Sequence, residues 1–345
     1  MMTGLWTAVA AIIIFCVLVF VHEFGHFLAA KALGIRVHEF AIGMGPKLFG
    51  KQKGETLYSV RALPIGGFCA LEGEDASSDD ERALSKKPAW AKFIVMVAGS
   101  VMNLLLGFLL LLCIYGTADQ IVVPEIAAVD SGSAAEAAGV LPDDVVVSLD
   151  GRTVHIAGDL AWAKSKLTGA ETELVVHRGS EKRTLLITPQ QTEAGLSLGI
   201  RMKARENTFF LTVKTGFYNT FFYAKVVLET FVDLLRGRVA FQNLSGPIGI
   251  VSEIGTAVKE TAETGLAGFL SLVQLTVLLT INLGVFNLLP IPALDGGRIF
   301  FVLVEMIRRK PLPPEKEGIV HMVGLVLLLL VSLVVAYMDV IKLLF

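Results

Sequence analysis

The segment HEFGH, residues 22–26, carries two imidazoles and a carboxylate within five positions. His22 and His26 are four residues apart, so on a helix they share one face and their nitrogens can converge on one ion. Glu23 completes the HExxH pattern. In zinc hydrolases of this pattern the two histidines bind the metal and the Glu takes a proton from water. Histidines that merely cap or line a helix would show the same spacing. The context argues against that bland reading. The motif closes an apolar run, LWTAVAAIIIFCVLVFV, and polar groups buried beside such a run without a partner are costly.

A catalytic zinc needs a third protein ligand and an open position. The longer pattern HExxHxxGxxH is absent, because position 32 is Ala. Glu39, on the segment that follows, is one candidate. Asp295 is the stronger one. It lies in INLGVFNLLPIPALDGGRIF, residues 281–300, where Pro290 and Pro292 interrupt a helix and can turn a carboxylate inward.

The elements that would position these groups are membrane spans. The 345 residues are 54% hydrophobic and 18% charged, with a mean hydropathy of +0.66. That excludes an ordinary soluble enzyme. The net charge of −2 gives no footing for nucleic acid. Cys16, Cys69 and Cys113 have no paired spacing, so neither a disulfide framework nor a cysteine metal site is expected. Four stretches reach spanning length, about 5–27, 92–115, 266–289 and 318–338. The first lacks a basic leader and a cleavage site, so it reads as a retained span.

Charge then sets orientation. Lys31, Arg36, Lys47, Lys51, Lys53, Arg61, Arg82, Lys86 and Lys87 fall between the first two spans. Arg298, Arg308, Arg309, Lys310 and Lys316 follow the third. By the positive-inside rule both loops are cytoplasmic and both termini extracytoplasmic. HEFGH and Asp295 then share the cytoplasmic end of their spans. Residues 34–70 read as a β-hairpin dipping into the membrane surface. EGEDASSDDE, 72–81, reads as a solvated acidic loop, and RRKPLPPEKE, 308–317, as a connector with a short polyproline-like piece.

The insert between the second and third spans divides in two. Residues 121–203 alternate short strands with Gly and Asp turns around one helix, as in a small α+β module. SAAEAAGVLPDDVVVSLDG resembles bacterial PDZ domains. Residues 204–265 are aromatic-rich and amphipathic, suited to the outer membrane interface. SGPIGI, 245–250, reads there as a Gly/Pro loop of unassigned role. His38, His155, His177 and His321 lack ligand spacing to one another and read as surface or interface groups.

HEFGH on the first span together with NLLPIPALDGG on a later one resembles the site-2 protease family of intramembrane zinc metalloproteases, in its bacterial regulator-of-sigma-E form. PIGGF, GSVMN, the PDZ-like insert and SGPIGI extend the resemblance over almost the whole chain. It implies a polytopic α-helical membrane protein in a bacterial inner membrane: four transmembrane helices, a membrane-associated β-hairpin and one extracytoplasmic PDZ-like domain. The domains would be 1–120, 121–203, 204–265 and 266–345. The implied activity is cleavage of single-span membrane proteins, such as anti-sigma factors and remnant signal peptides. Residue by residue, the resemblance makes His22, His26 and Asp295 the ligands of one Zn²⁺ and Glu23 the general base. Asn287 would hold the substrate backbone, and Asn103, near the site, would be a second substrate-binding residue. Gly66 and Gly67 of the hairpin would pair with unwound substrate by β-addition. The best-known proteobacterial pattern has two PDZ domains in tandem; this chain has one. That domain is open to two roles, capture of a freshly exposed C-terminus or exclusion of bulky ectodomains.

Two other classes predict different sequences. A divalent-ion transporter calls for inverted repeats with broken helices in both halves, and only one span is broken here. An inactive peptide receptor has no need of an intact HExxH and Asp.

Overall fold

The computed structural model describes residues 2–74, 78–193, 195–239, 245–309 and 314–344. Positions 75–77 of the acidic run and 310–313 of the basic connector lie outside the described residues. The chain divides into two compact units, residues 1–110 with 224–345, and residues 111–223.

The first unit opens with helix α1 (Met2–Ala32). Its 31 residues give a rod of about 46 Å, and His22 lies about 30 Å along it. The helix stops where Gly34 takes the left-handed conformation, φ +66°. Strands β1 (Val37–Lys53) and β2 (Thr56–Leu71) follow. Their register is richer than the hairpin read from the sequence. Phe40 pairs with both Cys69 and Tyr58, and Ile42 with both Gly67 and Val60, while Gly50 and Lys51 pair with Ser59 and Tyr58. Residues 37–42 are therefore central, and 67–71 form an outer edge. Phe40, Cys69 and Leu71 join Ala30, Ile35 and Val95 in a buried cluster beneath the end of α1.

The acidic run after β2 is not a solvated loop where it is described. Glu72 pairs with His38, Glu74 with Arg298 and Asp80 with Arg36. Each carboxylate meets a basic group from another segment, which fastens the run to the body of the unit.

Helix α2 (Ala89–Gly116) leads into the second unit. There, β3 (Gln120–Val129), α3 (Ala134–Ala137), β4 (Val145–Leu149), β5 (Arg152–Thr153), α4 (Ala157–Ser165), β6 (Thr172–Arg178), β7 (Glu181–Ile187), β8 (Gln190–Thr192), β9 (Gly195–Ser197) and β10 (Ile200–Glu206) succeed one another. The main sheet runs β10–β3–β4–β6–β7, with β5 beside β4. Ile126, Val146, Leu149, Leu160, Leu174, Val176 and Ile187 fill its core. Buried Asp144 accepts from the Arg178 guanidinium through both oxygens, at 2.8 and 2.7 Å, and from the Leu141 amide. The sheet extends to Glu206, three residues past the boundary expected.

The stretch 204–265 proves largely helical. Helix α5 (Phe209–Leu235) is followed by α6 (Pro247–Thr264). SGPIGI is not a loop: Pro247 opens α6, with the Gly246 and Gly249 amides donating to the carboxylate of Asp339. Nor does α6 lie loose at an interface. Its Ile254 is buried among Ala11, Ile14 and Leu18 of α1.

Helices α7 (Leu266–Leu288), α8 (Asp295–Arg308) and α9 (Pro314–Leu344) complete the first unit. Among the described residues, four helices are long and apolar enough to cross a membrane: Gly4–Ala32, Ala89–Gly116, Leu266–Leu288 and Glu317–Lys342. They match the four stretches read from hydropathy.

Candidate metal centre

His22 and His26 fall on the same face of α1, turned toward α2. Small residues let the two helices approach: a Cβ on Gly25 would lie 2.4 Å from the Ala98 carbonyl oxygen. Lys92 on α2 binds both oxygens of Glu305 on α8, at 3.0 and 2.9 Å, and Arg298 on α8 donates to Glu74. Those two pairs lock α8 against its neighbours.

The α7–α8 break brings the carboxylate in. After Leu288 the chain turns through Leu289–Leu294, with the Ile291 amide donating to Leu289 and the Leu294 amide to Ile291. Asp295 is the first residue of α8. Gly296 and Gly297 press the new helix onto the turn; a Cβ on Gly296 would overlap the Leu289 carbonyl at 1.9 Å.

Asp295 Oδ2 thereby lies 3.0 Å from His22 Nε2 and 3.2 Å from His26 Nε2, and the two nitrogens are 3.3 Å apart. Three such atoms cannot face one another with bare lone pairs. They need a proton or a cation between them. A tetrahedral zinc with ligands at 2.0–2.1 Å sets its ligands about 3.3 Å apart, so the triangle fits that ion. Among the described residues, this is the one group of His, Cys, Asp and Glu side chains close enough to share a metal.

Second contacts fix the rings. His26 Nδ1 donates to the Val95 carbonyl at 2.8 Å, which leaves its Nε2 lone pair facing the triangle. His22 Nδ1 meets the side-chain amide of Asn103 at 3.2 Å. Asn103 is fully buried, and its Oδ1 has no hydrogen-bond partner. A half-turn of the amide resolves both facts. Oδ1 then accepts from His22 Nδ1–H, and the Nε2 lone pair is free for a metal. Asn103 thus sits behind His22, on the side of the ring away from the triangle.

Glu23 is half-buried on the same turn. Gly67, on the outer strand segment, packs against it: a Cβ there would lie 3.7 Å from Glu23 Cγ and 3.5 Å from Val19. Gly66, at φ +82°, packs on Met44. Asn287, nearly buried on α7, donates to the Leu283 carbonyl of its own helix at 2.9 Å. The structure leaves Glu39 away from the triangle. It sits on β1, bound by Arg61 at 2.8 and 2.9 Å and by Ser59.

Residues 10–331 match the model of peptidase family M50. This chain belongs to that family. A protein of Clostridium acetobutylicum named as a zinc metalloprotease is 35% identical over 336 residues, covering 96% of this chain and 97% of the relative. One of Fusobacterium nucleatum, similarly named, is 37% identical over 345 residues, covering 98% and 99%. The zinc metalloprotease RasP of Oceanobacillus iheyensis is 29% identical over 425 aligned positions, with 97% and 98% covered. That alignment is longer than this chain, so RasP carries insertions relative to it. The chain is accordingly a metalloprotease with a zinc cofactor, and a membrane protein with four candidate membrane helices among its described residues.

Two side chains inside the apolar spans take on roles that their spacing in the sequence does not signal. His321 on α9 accepts from the Ala293 amide at 2.9 Å, and Asp339 caps α6. Both act on backbone N–H groups far away in sequence, which leaves no periodic signal. A charged or imidazole group inside an apolar span was the available clue.

Proposed function

We propose that this metalloprotease cleaves single-span membrane proteins within the bilayer, anti-sigma factors and remnant signal peptides among them. His22, His26 and Asp295 hold the zinc ion. When bound, the metal supplies a Lewis acid that acidifies water and polarises a carbonyl. The observation that carries the reading is the convergence of these three side chains beside Glu23 and a free strand edge.

Glu23 acts as general base and takes the proton of the attacking water. The edge 67–71 receives the substrate. A transmembrane helix has its carbonyls engaged in its own hydrogen bonds, so a scissile bond must first be unwound. An extended segment added alongside Gly67 has its main-chain groups satisfied by the sheet, and Gly67 keeps that segment next to Glu23. Asn287 holds the substrate backbone once its amide turns away from Leu283. Basic residues between the first two spans favour a cytoplasmic-side site and extracytoplasmic termini, and the bacterial relatives favour a bacterial inner membrane. The sheet of residues 120–206 is a single PDZ-like domain outside the membrane. It meets either an exposed peptide C-terminus or the bulk of an ectodomain.

The test is cleavage of a single-span substrate by the purified chain and by Glu23→Gln, with zinc measured in both. The amide keeps the size of the side chain and cannot take the proton. Zinc in both proteins with cleavage by the wild type alone is expected. A variant that cleaves as fast as wild type would remove Glu23 from the mechanism.

A further inference from the structure

Ala293 occupies left-handed backbone, φ +76°, two residues before Asp295. An alanine rarely sits there, so its surroundings must hold it. Those surroundings come from α9, the least buried of the four long apolar helices. The Ala293 amide donates to His321 Nδ1 at 2.9 Å. One turn further along α9, Gly324 admits the proline of the same turn: a Cβ there would lie 2.3 Å from Pro292 Cβ and 2.7 Å from its carbonyl oxygen. On the other side, a Cβ on Gly297 would come within 3.1 Å of His321 Cε1. Phe301 of α8 meets the imidazole with ring centroids 5.8 Å apart. The His321 ring is thus wedged between the turn and the first two turns of α8.

The direction of the hydrogen bond is fixed. A backbone N–H can only donate, so Nδ1 offers its lone pair to Ala293. We infer that His321 is a positioning residue for the metal centre. It holds the Pro292–Leu294 turn in the backbone path that delivers Asp295 to His22 and His26. Relaxing Ala293 to φ below zero would re-aim Leu294 and Asp295, and metal ligands tolerate displacements of only about 0.2 Å. The inference rests on the ligand set proposed above.

The test measures zinc affinity of the full chain in detergent by chelator competition. It also records the absorption bands of the cobalt(II)-loaded protein. His321→Asn places Oδ1 where Nδ1 was. His321→Gln places its polar atoms nearer the Nε2 position, and His321→Ala removes both. Zinc affinity is expected to fall about tenfold for His321→Ala and His321→Gln, with altered cobalt bands, while His321→Asn stays within about threefold of wild type. Wild-type affinity and bands in His321→Ala would overturn the inference. So would a loss in His321→Asn equal to that in His321→Gln, a comparison that stands even if the alanine variant does not fold. Asp295→Ala separates the two readings. If it keeps wild-type affinity, the ligand set fails; if it loses zinc while the His321 variants do not, the positioning role alone fails.

Discussion

Gly99 of α2 and His26 of α1 are in such close contact that a Cβ on Gly99 would lie 2.4 Å from His26 Nε2. The same Cβ would lie 2.8 Å from His22 Cε1. Both imidazoles therefore rest on bare backbone, and α2 is the floor of the metal centre. Gly99→Ala should push both rings off the triangle. Zinc content is expected to fall at least about tenfold and proteolysis to disappear. Val101→Ala, on the exposed side of the same helix, should change neither. Metal analysis and a cleavage assay on both variants check this.

Asn103 should matter to metal more than to substrate. Asn103→Ala removes the group that orients His22, and zinc affinity is expected to drop about 10- to 100-fold. The KM of the metal-saturated variant should stay near wild type. A large rise in KM at full metal loading would return Asn103 to the substrate.

Asp339 ties the last span to α6. Its carboxylate accepts from Gly246 at 3.1 Å and Gly249 at 2.9 Å, and it is almost wholly buried. Hydrogen bonds to a charged acceptor contribute about 1.5–3 kcal/mol each. Asp339→Ala should speed hydrogen exchange of the Gly249 and Ile250 amides by at least about tenfold and leave β4 and β6 unchanged. Mass-spectrometric exchange on the two proteins reads both regions at once.

Asp144 should make the second unit sensitive to acid. Burial alone would raise its pKa, but the Arg178 pair and the Leu141 amide outweigh burial and hold the carboxyl below its usual range. A folded pKa lowered in this way stabilises the unit above the unfolded value near 3.9. That contribution is lost as pH falls through the folded value. Exchange protection of β4 and β6 should therefore drop as pH falls below about 4, and Asp144→Asn should flatten that dependence while lowering protection at pH 7.

The sequence made parts of this legible for physical reasons. HEFGH is local, so helical periodicity alone puts both histidines on one face. Asp295 could be paired with them because prolines mark the break after α7 and because both spans run in one direction. Four spans follow from hydropathy. What escaped reading depends on contacts between distant segments. SGPIGI looked like a loop because Gly and Pro break helices, yet the same residues start one when Asp339 supplies a cap from α9. Glu39 looked available as a ligand until Arg61, across the sheet, claimed it. His321 carries no spacing to any other histidine, because its partner is a main-chain amide. The double pairing of residues 39–42 is likewise invisible in the alternation of a single hairpin.

His22 and Asp295 are 273 residues apart. A ribosome adding about 5–20 residues per second delivers the second imidazole roughly 15 s to a minute before the carboxylate. Throughout that interval the growing chain holds two of the three proposed metal ligands. The helix that braces the Ala293 turn comes later still. A product truncated or stalled before Asp295 therefore lacks one of the three proposed ligands, and one that ends between Asp295 and α9 has all three but lacks the brace on the turn that presents the carboxylate.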